Sequence, residues 1–409
     1  METSMSAARD LEFAIEWNRI ILRFLGIWPD QNSSKNGNRT MSFNFLFAVF
    51  FIFCFNVSQI IYLVMAWGQL DAVIEILAKS IAATAIALLK SISIWYNSKV
   101  LRSMLAHIAE DWMTPKSKRE REVMLKNAKI ARMLSIGGIF LIMVSLGLYI
   151  FIHVIVNLQP GTRNGTVSRR QLLYQAYFPF DTDKTPNYEL TCIVQSVAAM
   201  YTATSYSGID TFLAMLVLHL CAQFTNLQFT LKNLVTEHGT EIEFRKNLAI
   251  IVNKHERLNR FAVSMEKSFN MLLLVHMFLC TLQFCFIGYN FFLTFDNGGM
   301  GQLSFYQLLL LTIYVISGVM QLFVYCYVGE KLNVDSSQLG YAAYQCDWYK
   351  LSVPDARDLT FVMLRARTPL QITAGRFCSF SFSLFTDILK TSMGYLSMLL
   401  SVKNTNSLS

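Results

Sequence analysis

The sequence predicts an all-α membrane protein of seven transmembrane helices, with its N-terminus in the cytoplasm and its C-terminus outside. Three observations carry that expectation. Of 409 residues, 54% are hydrophobic and 15% charged, against about 25% charged in ordinary soluble domains. Mean hydropathy is +0.39, and long apolar runs alternate with short charged ones. The basic residues divide unequally between alternate loops. Together these exclude a soluble enzyme, a disordered chain and a disulfide-stapled secreted module.

Residues 1–42 read as a cytoplasmic N-terminal segment. Arg9, Asp10, Glu12, Glu16, Arg19 and Arg23 interrupt it too often for a cleavable signal peptide. The first apolar run is therefore expected both to target and to anchor the chain. A helix crosses the hydrocarbon core with about 20 apolar residues. Residues 43–66, 133–157, 191–222, 268–295 and 303–329 meet this, and Asp210 is their one charged residue. Residues 72–96, with Glu75, Lys79 and Lys90, and 377–402, with Asp387 and Lys390, complete the seven. Glu75 and Lys79 are four apart and are expected to pair.

Basic residues fix the orientation. Of the 35 Lys and Arg, 27 fall in the N-terminal segment and every second loop, 5 in the alternate set and 3 within spans. Basic loops stay in the cytoplasm. Omitting either weaker span breaks the alternation. The net charge of +8 is thus membrane topology, not a nucleic-acid surface.

The eight cysteines lie mostly in apolar runs, with no C-x-x-C pair and no Cys/His cluster, so no metal or other cofactor is expected. Asn164-Gly165-Thr166 is a glycosylation candidate in the outside loop 158–190, which is long enough to fold over a cavity mouth. Below the membrane, Leu248, Ile251, His255, Leu258, Ala262 and Met265 form a heptad seam, and Leu332, Leu339, Ala343 and Cys346 a second apolar side. Such seams pack within one chain or against another subunit.

Seven spans suggest a G-protein-coupled receptor, but the orientation is inverted for that class. All seven prolines lie outside the spans, no Asp-Arg-Tyr follows the third, and no Asn-Pro-x-x-Tyr ends the seventh. Neither the repeats nor the broken helices of transporters are evident. No nucleotide, hydrolase or metalloprotease motif occurs, so an enzyme is not expected.

The C-terminal third carries a resemblance. Tyr325-Cys326-Tyr327-Val328-Gly329-Glu330-Lys331-Leu332, Ser336-Ser337, Tyr341-Ala342-Ala343-Tyr344 and Trp348 follow one another. Arg365, Arg367, Pro369, Ile372-Thr373-Ala374-Gly375, Phe385-Thr386-Asp387-Ile388-Leu389-Lys390 and Tyr395 continue the series. In order and spacing this resembles the insect odorant receptors. The related gustatory receptors are the alternative, but their Thr-Tyr…Gln-Phe signature is missing. Loop 223–267 has no room for the insertion of the family's co-receptor, so the chain resembles a ligand-tuning subunit.

The resemblance implies an odorant-gated, non-selective cation channel that forms a tetramer with co-receptor subunits, in the plasma membrane of an olfactory neuron's dendrite. Its partners would be co-receptor, a small volatile, permeating cations and lipid. Residues 43–329 would hold six spans and an outer-half pocket, 330–376 a cytoplasmic anchor, and 377–409 the pore helix. The heptad seam would then be an interface between subunits. Asp387, Lys390, Gly394, Met398 and Val402 would line the pore, with Met398 at an apolar gate that blocks ions by dewetting. Asp387 and Lys390 would pair, or one would face the vestibule. The pocket would take Leu77 and Ile81, then Ser145, Tyr149 and Ile152, then Met200, Tyr201 and Thr204, then Tyr306 and Leu310. These favour an uncharged ligand held by apolar burial, its ester, ketone or alcohol group oriented by hydroxyls.

Overall fold

The computed structural model describes residues 2–29, 35–69, 73–74, 76–158, 162–163, 166–167, 172–235, 241–296 and 305–408. Helices dominate them: α1 (Glu2–Phe24), α2 (Lys35–Met65), α3 (Ala82–Tyr96, entered through a π-turn at Leu77–Ile81) and α4 (Ser98–Met113). Then come α5 (Lys118–Leu158), α6 (Asn187–Lys232), α7 (Glu241–Asp296), α8 (Phe305–Gln345), α9 (Val353–Ala366) and α10 (Phe382–Leu408). Two short antiparallel ribbons join them, β1 (Thr162–Arg163) with β2 (Thr166–Val167) and β3 (Thr373–Ala374) with β4 (Cys378–Ser379).

Five helices, α2 and α5 to α8, are long and apolar enough to cross a membrane, and α3 is a shorter apolar helix. Helix α10 is not among the five. Asp387, Lys390 and its Ser and Thr residues dilute its apolarity. The seven expected spans correspond to α2, the π-turn with α3, and then α5, α6, α7, α8 and α10.

Helix α6 is the axis of the bundle. From Ala198 to Leu227 its residues are nearly all buried, and it touches α1, α2, α3, α5, α7 and α8. A helix apolar on every side is buried on every side. Its small residues let neighbours approach closely. Gly208 lies under the Ile21 side chain of α1, with no room for a Cβ. The N-terminal segment is therefore not a free tail: the end of α1 packs into the bundle against α6.

Helix α7, with 56 residues, is about 84 Å long at 1.5 Å per residue, far beyond a hydrocarbon core of about 30 Å. Its first half meets the last halves of α6 and α8 at one end of the bundle. Gln228 donates to the Asp335 carbonyl there, and Arg245 pairs with Asp355 of α9. This corrects one expectation. Leu248, Ile251, His255, Leu258, Ala262 and Met265 are all buried within the chain, as are Leu332, Leu339, Ala343 and Cys346. The two apolar sides face into one bundle, so the seam is the core of this end and not an interface between subunits. Exposed instead are Tyr341, Tyr344 and Trp348, one stripe of α8 and its extension, with Tyr349 beside them.

Candidate functional site

One end of the bundle is closed by residues 172–178 of the segment between α5 and α6. Gln195 of α6 holds the Tyr174 backbone at both ends, accepting from its N–H at 3.2 Å and donating to its carbonyl at 2.9 Å. The Tyr177 N–H donates to the Ser58 carbonyl of α2, and Leu173 and Ala176 are buried. Tyr149 of α5 donates to the Leu173 carbonyl at 2.7 Å, and its ring lies 5.3 Å from that of Tyr174. Burial, with the Tyr149 and Tyr314 phenols nearby, pushes the Tyr174 phenol up from its ordinary value. Asn164 lies outside the described residues.

Below this cap, Tyr206 of α6 is buried against Ile86 and Ala87 of α3, Ile142 of α5 and Leu279 of α7. Tyr314 of α8 accepts from the Gln283 amide of α7 and stands within electrostatic reach of both Tyr174 and Tyr206. Tyr149 and Tyr174 are in ring contact, and Tyr314 lies near enough to both Tyr174 and Tyr206 to act on them electrostatically, so a set of four tyrosines links α5, the loop, α6 and α8. Sequence reasoning missed three of the four. A signal existed for Tyr314, because Tyr306, Leu310 and Tyr314 share one stripe of a helix. For Tyr206 none existed, since α6 is buried all round and shows no preferred face.

The other expected ligand residues are scattered. Leu77 and Ile81 bound the π-turn, which α2 supports: Gln59 donates to Ser80 at 2.8 Å and Asn56 to Thr84 at 2.8 Å, while Thr84 donates to the Ile81 carbonyl at 3.0 Å. Such turns concentrate at functional positions. Ser145 donates to the Leu141 carbonyl at 2.6 Å and Thr204 to the Met200 carbonyl at 2.8 Å. Each hydroxyl proton is thereby held by its own helix. Ile152 and Leu310 are half-buried, and Met200 is exposed. Tyr201 turns toward α1 and α2, its ring 5.1 Å from Phe24 and 6.0 Å from Phe47. The side chains of Lys79 and Tyr306, and all of Glu75, lie outside the described residues, so the expected Glu75–Lys79 pair does too.

Helix α10 has two sides. Ile388 and Ser392 are buried, Ser392 donating to the Thr281 carbonyl of α7 at 3.2 Å, and Leu396 packs on Gly288. Opposite lie Asp387, Lys390, Thr391, Gly394 and Met398, all exposed. Met398 is 67% exposed, and nothing comes within 4 Å of a Cβ built on Gly394. Asp387 and Lys390 form no ion pair with each other, and the Val402 side chain is outside the described set. At the foot of α10 an open groove of about 380 Å³ is lined by Thr373, Arg376, Ser381 and Asp387, among others.

The profile of the family described as 7tm Odorant receptor matches residues 74–393. The chain belongs to the seven-transmembrane odorant receptor family. It is similar to odorant receptor 13a of Drosophila melanogaster, 28% identical over 246 residues that make up 56% of this chain and 57% of that one. Odorant receptor 82a of the same fly is 25% identical over 63% of this chain and 64% of its own. The matches thus span under two thirds of those curated relatives' length. The fold matches that of the insect olfactory receptor OR5 from Machilis hrabei, solved alone and in complex with eugenol, with a TM-score of 0.81. That likeness covers 95% of this chain and 97% of the other at 18% identity. The family is one of membrane receptors, and five helices described in this chain are long and apolar enough to cross a membrane.

Proposed function

We propose that the chain is the ligand-tuning subunit of an odorant-gated, non-selective cation channel, assembled with co-receptor subunits as a tetramer in the dendritic plasma membrane of an olfactory neuron. The two-sided α10 carries this reading. One face is fastened to α7, while a face bearing Asp387, Thr391, Gly394 and Met398 is left exposed along the helix. Repeated around an axis, it would line a pore with Met398, and Val402 one turn beyond, at an apolar constriction and Asp387 and Lys390 deeper. The exposed Tyr341, Tyr344 and Trp348 supply an apolar contact surface for neighbouring subunits. The ligand is a small uncharged volatile among Tyr149, Tyr174, Tyr206 and Tyr314. Rings and aliphatic surface favour apolar burial, and phenol groups suit one ligand hydroxyl, carbonyl or ester. A compound such as eugenol, the ligand of the Machilis receptor complex, has that chemistry.

The test is recording from oocytes that express this chain with and without a co-receptor, against a panel of uncharged phenols, esters, ketones and alcohols. Ligand-evoked cation current that requires this chain is expected. Saturable uptake of a panel compound without unitary current would replace the channel by a transporter.

A further inference from the structure

Asp210 is the one charged residue of its span and Lys90 one of three in another, and the fold brings the two together. Lys90, on α3, is completely buried, and its ammonium meets the Asp210 carboxylate of α6. The same carboxylate accepts from the Gln321 amide and the Tyr325 hydroxyl, both on α8. One carboxylate thus ties three helices together.

Stability alone explains the junction poorly. Desolvating two charges costs more than most apolar contacts of equal size, and a well-packed apolar pair holds helices as firmly. Ionisable groups at membrane depth are rare and tend to mark function. The neighbours of the junction are informative here. On its outer side the Lys90 ammonium donates to the Tyr206 carbonyl at 3.1 Å and sits 4.3 Å from the centre of the Tyr206 ring. That ring is part of the tyrosine cluster. On its inner side Tyr325 packs on Phe380 at 5.5 Å, two residues before α10 begins. The Phe380 carbonyl lies against Gly329, too close for any Cβ there. His276 of α7 stands between the two tyrosines, 5.6 Å from Tyr206 and 5.3 Å from Tyr325. Contacts therefore run unbroken from the tyrosine cluster through the junction to the foot of α10.

We propose that the Lys90–Asp210–Tyr325 junction is a positioning element that transmits occupancy of the tyrosine cluster to the pore helix. It rests on the channel reading above. A ligand that moves the Tyr206 ring alters the seat of the Lys90 ammonium. The Asp210 carboxylate then redistributes its three donors, and Tyr325 changes its hold on Phe380. In a low-dielectric interior these donor arrangements are discrete, which lets a small displacement select between two states.

Coupling is distinguished from contact by separating binding from gating. Asp210→Asn by itself strands a buried ammonium and is expected to cost folding. Two gentler variants avoid this: Tyr325→Phe, which removes one hydroxyl, and Lys90→Met with Asp210→Leu, which removes both charges together. Each is co-expressed with co-receptor, checked for surface level, and recorded with the panel compound that drives the parent most strongly. Binding of that compound is read separately from the rise it causes in the melting temperature of purified channel. Both variants are expected to bind within about twofold of the parent. The half-maximal concentration for current, or the ligand-free current, should move by about tenfold, within the usual range of allosteric coupling. In combination the two changes should be non-additive.

Parental binding and parental gating in both variants would reduce the junction to packing and overturn the inference. Loss of binding in proportion to loss of current would also overturn it, by making the junction part of the binding site. If no panel compound binds the parent, the ligand reading fails by itself. The ligand-free current then decides the junction: a change of about tenfold keeps it, and a parental value removes it.

Discussion

At the scale of single residues, the tyrosine cluster separates contact from packing. Tyr149, Tyr174, Tyr206 and Tyr314 form one linked set, whereas Tyr201 stacks on Phe24 on the side of α1 and α2. Losing a buried aromatic contact costs about 1.5–3 kcal/mol, roughly tenfold to a hundredfold in half-maximal concentration. Tyr149→Ala and Tyr314→Ala should therefore weaken odorant potency by about that factor in dose–response recordings, with maximal current largely kept. Tyr201→Ala should leave potency within about twofold, because its ring lies outside the cluster. Equal losses at Tyr149 and Tyr201 would move the site toward α2. Of the proposed site, the sequence singled out Tyr149 by residue type and helix, while the rotation of α6 that brings Tyr206 and not Tyr201 toward it was not legible. Helical spacing fixes which residues share a face, and a helix buried on every face has no polar side to show which one points inward.

At the scale of elements, α10 and the end bundle give contrasting tests. If Met398 forms part of a dewetted constriction, apolarity matters more than shape. Met398→Ser should raise current without odorant or alter ion permeability, while Met398→Leu should keep a closed resting state, since volume and polarity are nearly conserved. The contrast between the two is the measurement, because in the proposed mixed tetramer co-receptor subunits would supply the other gate residues. An effect at Val402→Ser alone would place the constriction one turn nearer the outside. In the end bundle, burial, with the Arg365 guanidinium nearby, holds the His255 imidazole below its usual 6.5. The Ser352 hydroxyl and Arg245 hold the Asp355 carboxyl below the carboxylate range. Both groups bind fewer protons folded than unfolded, so they contribute stability at neutral pH that is lost on acidification. The His255 part goes first, as pH falls below its unfolded value, and the Asp355 part near the carboxylate range. The melting temperature of the purified protein should decline between about pH 7 and about pH 5, and His255→Leu should flatten that decline. The heptad seam around His255 was legible as a period. Its partner was not, because periodicity reports that a face is covered and says nothing about which chain covers it.

At the scale of the whole molecule, the span count was legible because a bilayer demands long uninterrupted apolar runs, and few other structures do. Even the weaker spans are helices in the fold, the second interrupted by a π-turn and the seventh carrying charges on its exposed face. The coming together of Lys90 and Asp210 was not legible, since residues 120 apart carry no local signature of pairing. Orientation rests on a different physical quantity, the uneven distribution of Lys and Arg between alternate loops. It separates an ion-channel topology from that of a G-protein-coupled receptor with the same number of helices. An epitope placed after Ser409 should be reached by antibody on intact cells expressing the chain with co-receptor, and one placed before Met1 should become visible after permeabilisation. A control epitope inserted between Val235 and Glu241, after the buried end of α6, should behave like the one before Met1. Surface labelling at Met1 with none at Ser409 would invert every loop, put the 27 basic residues outside, and remove the basis for reading α10 as a pore helix that ends at the outer surface.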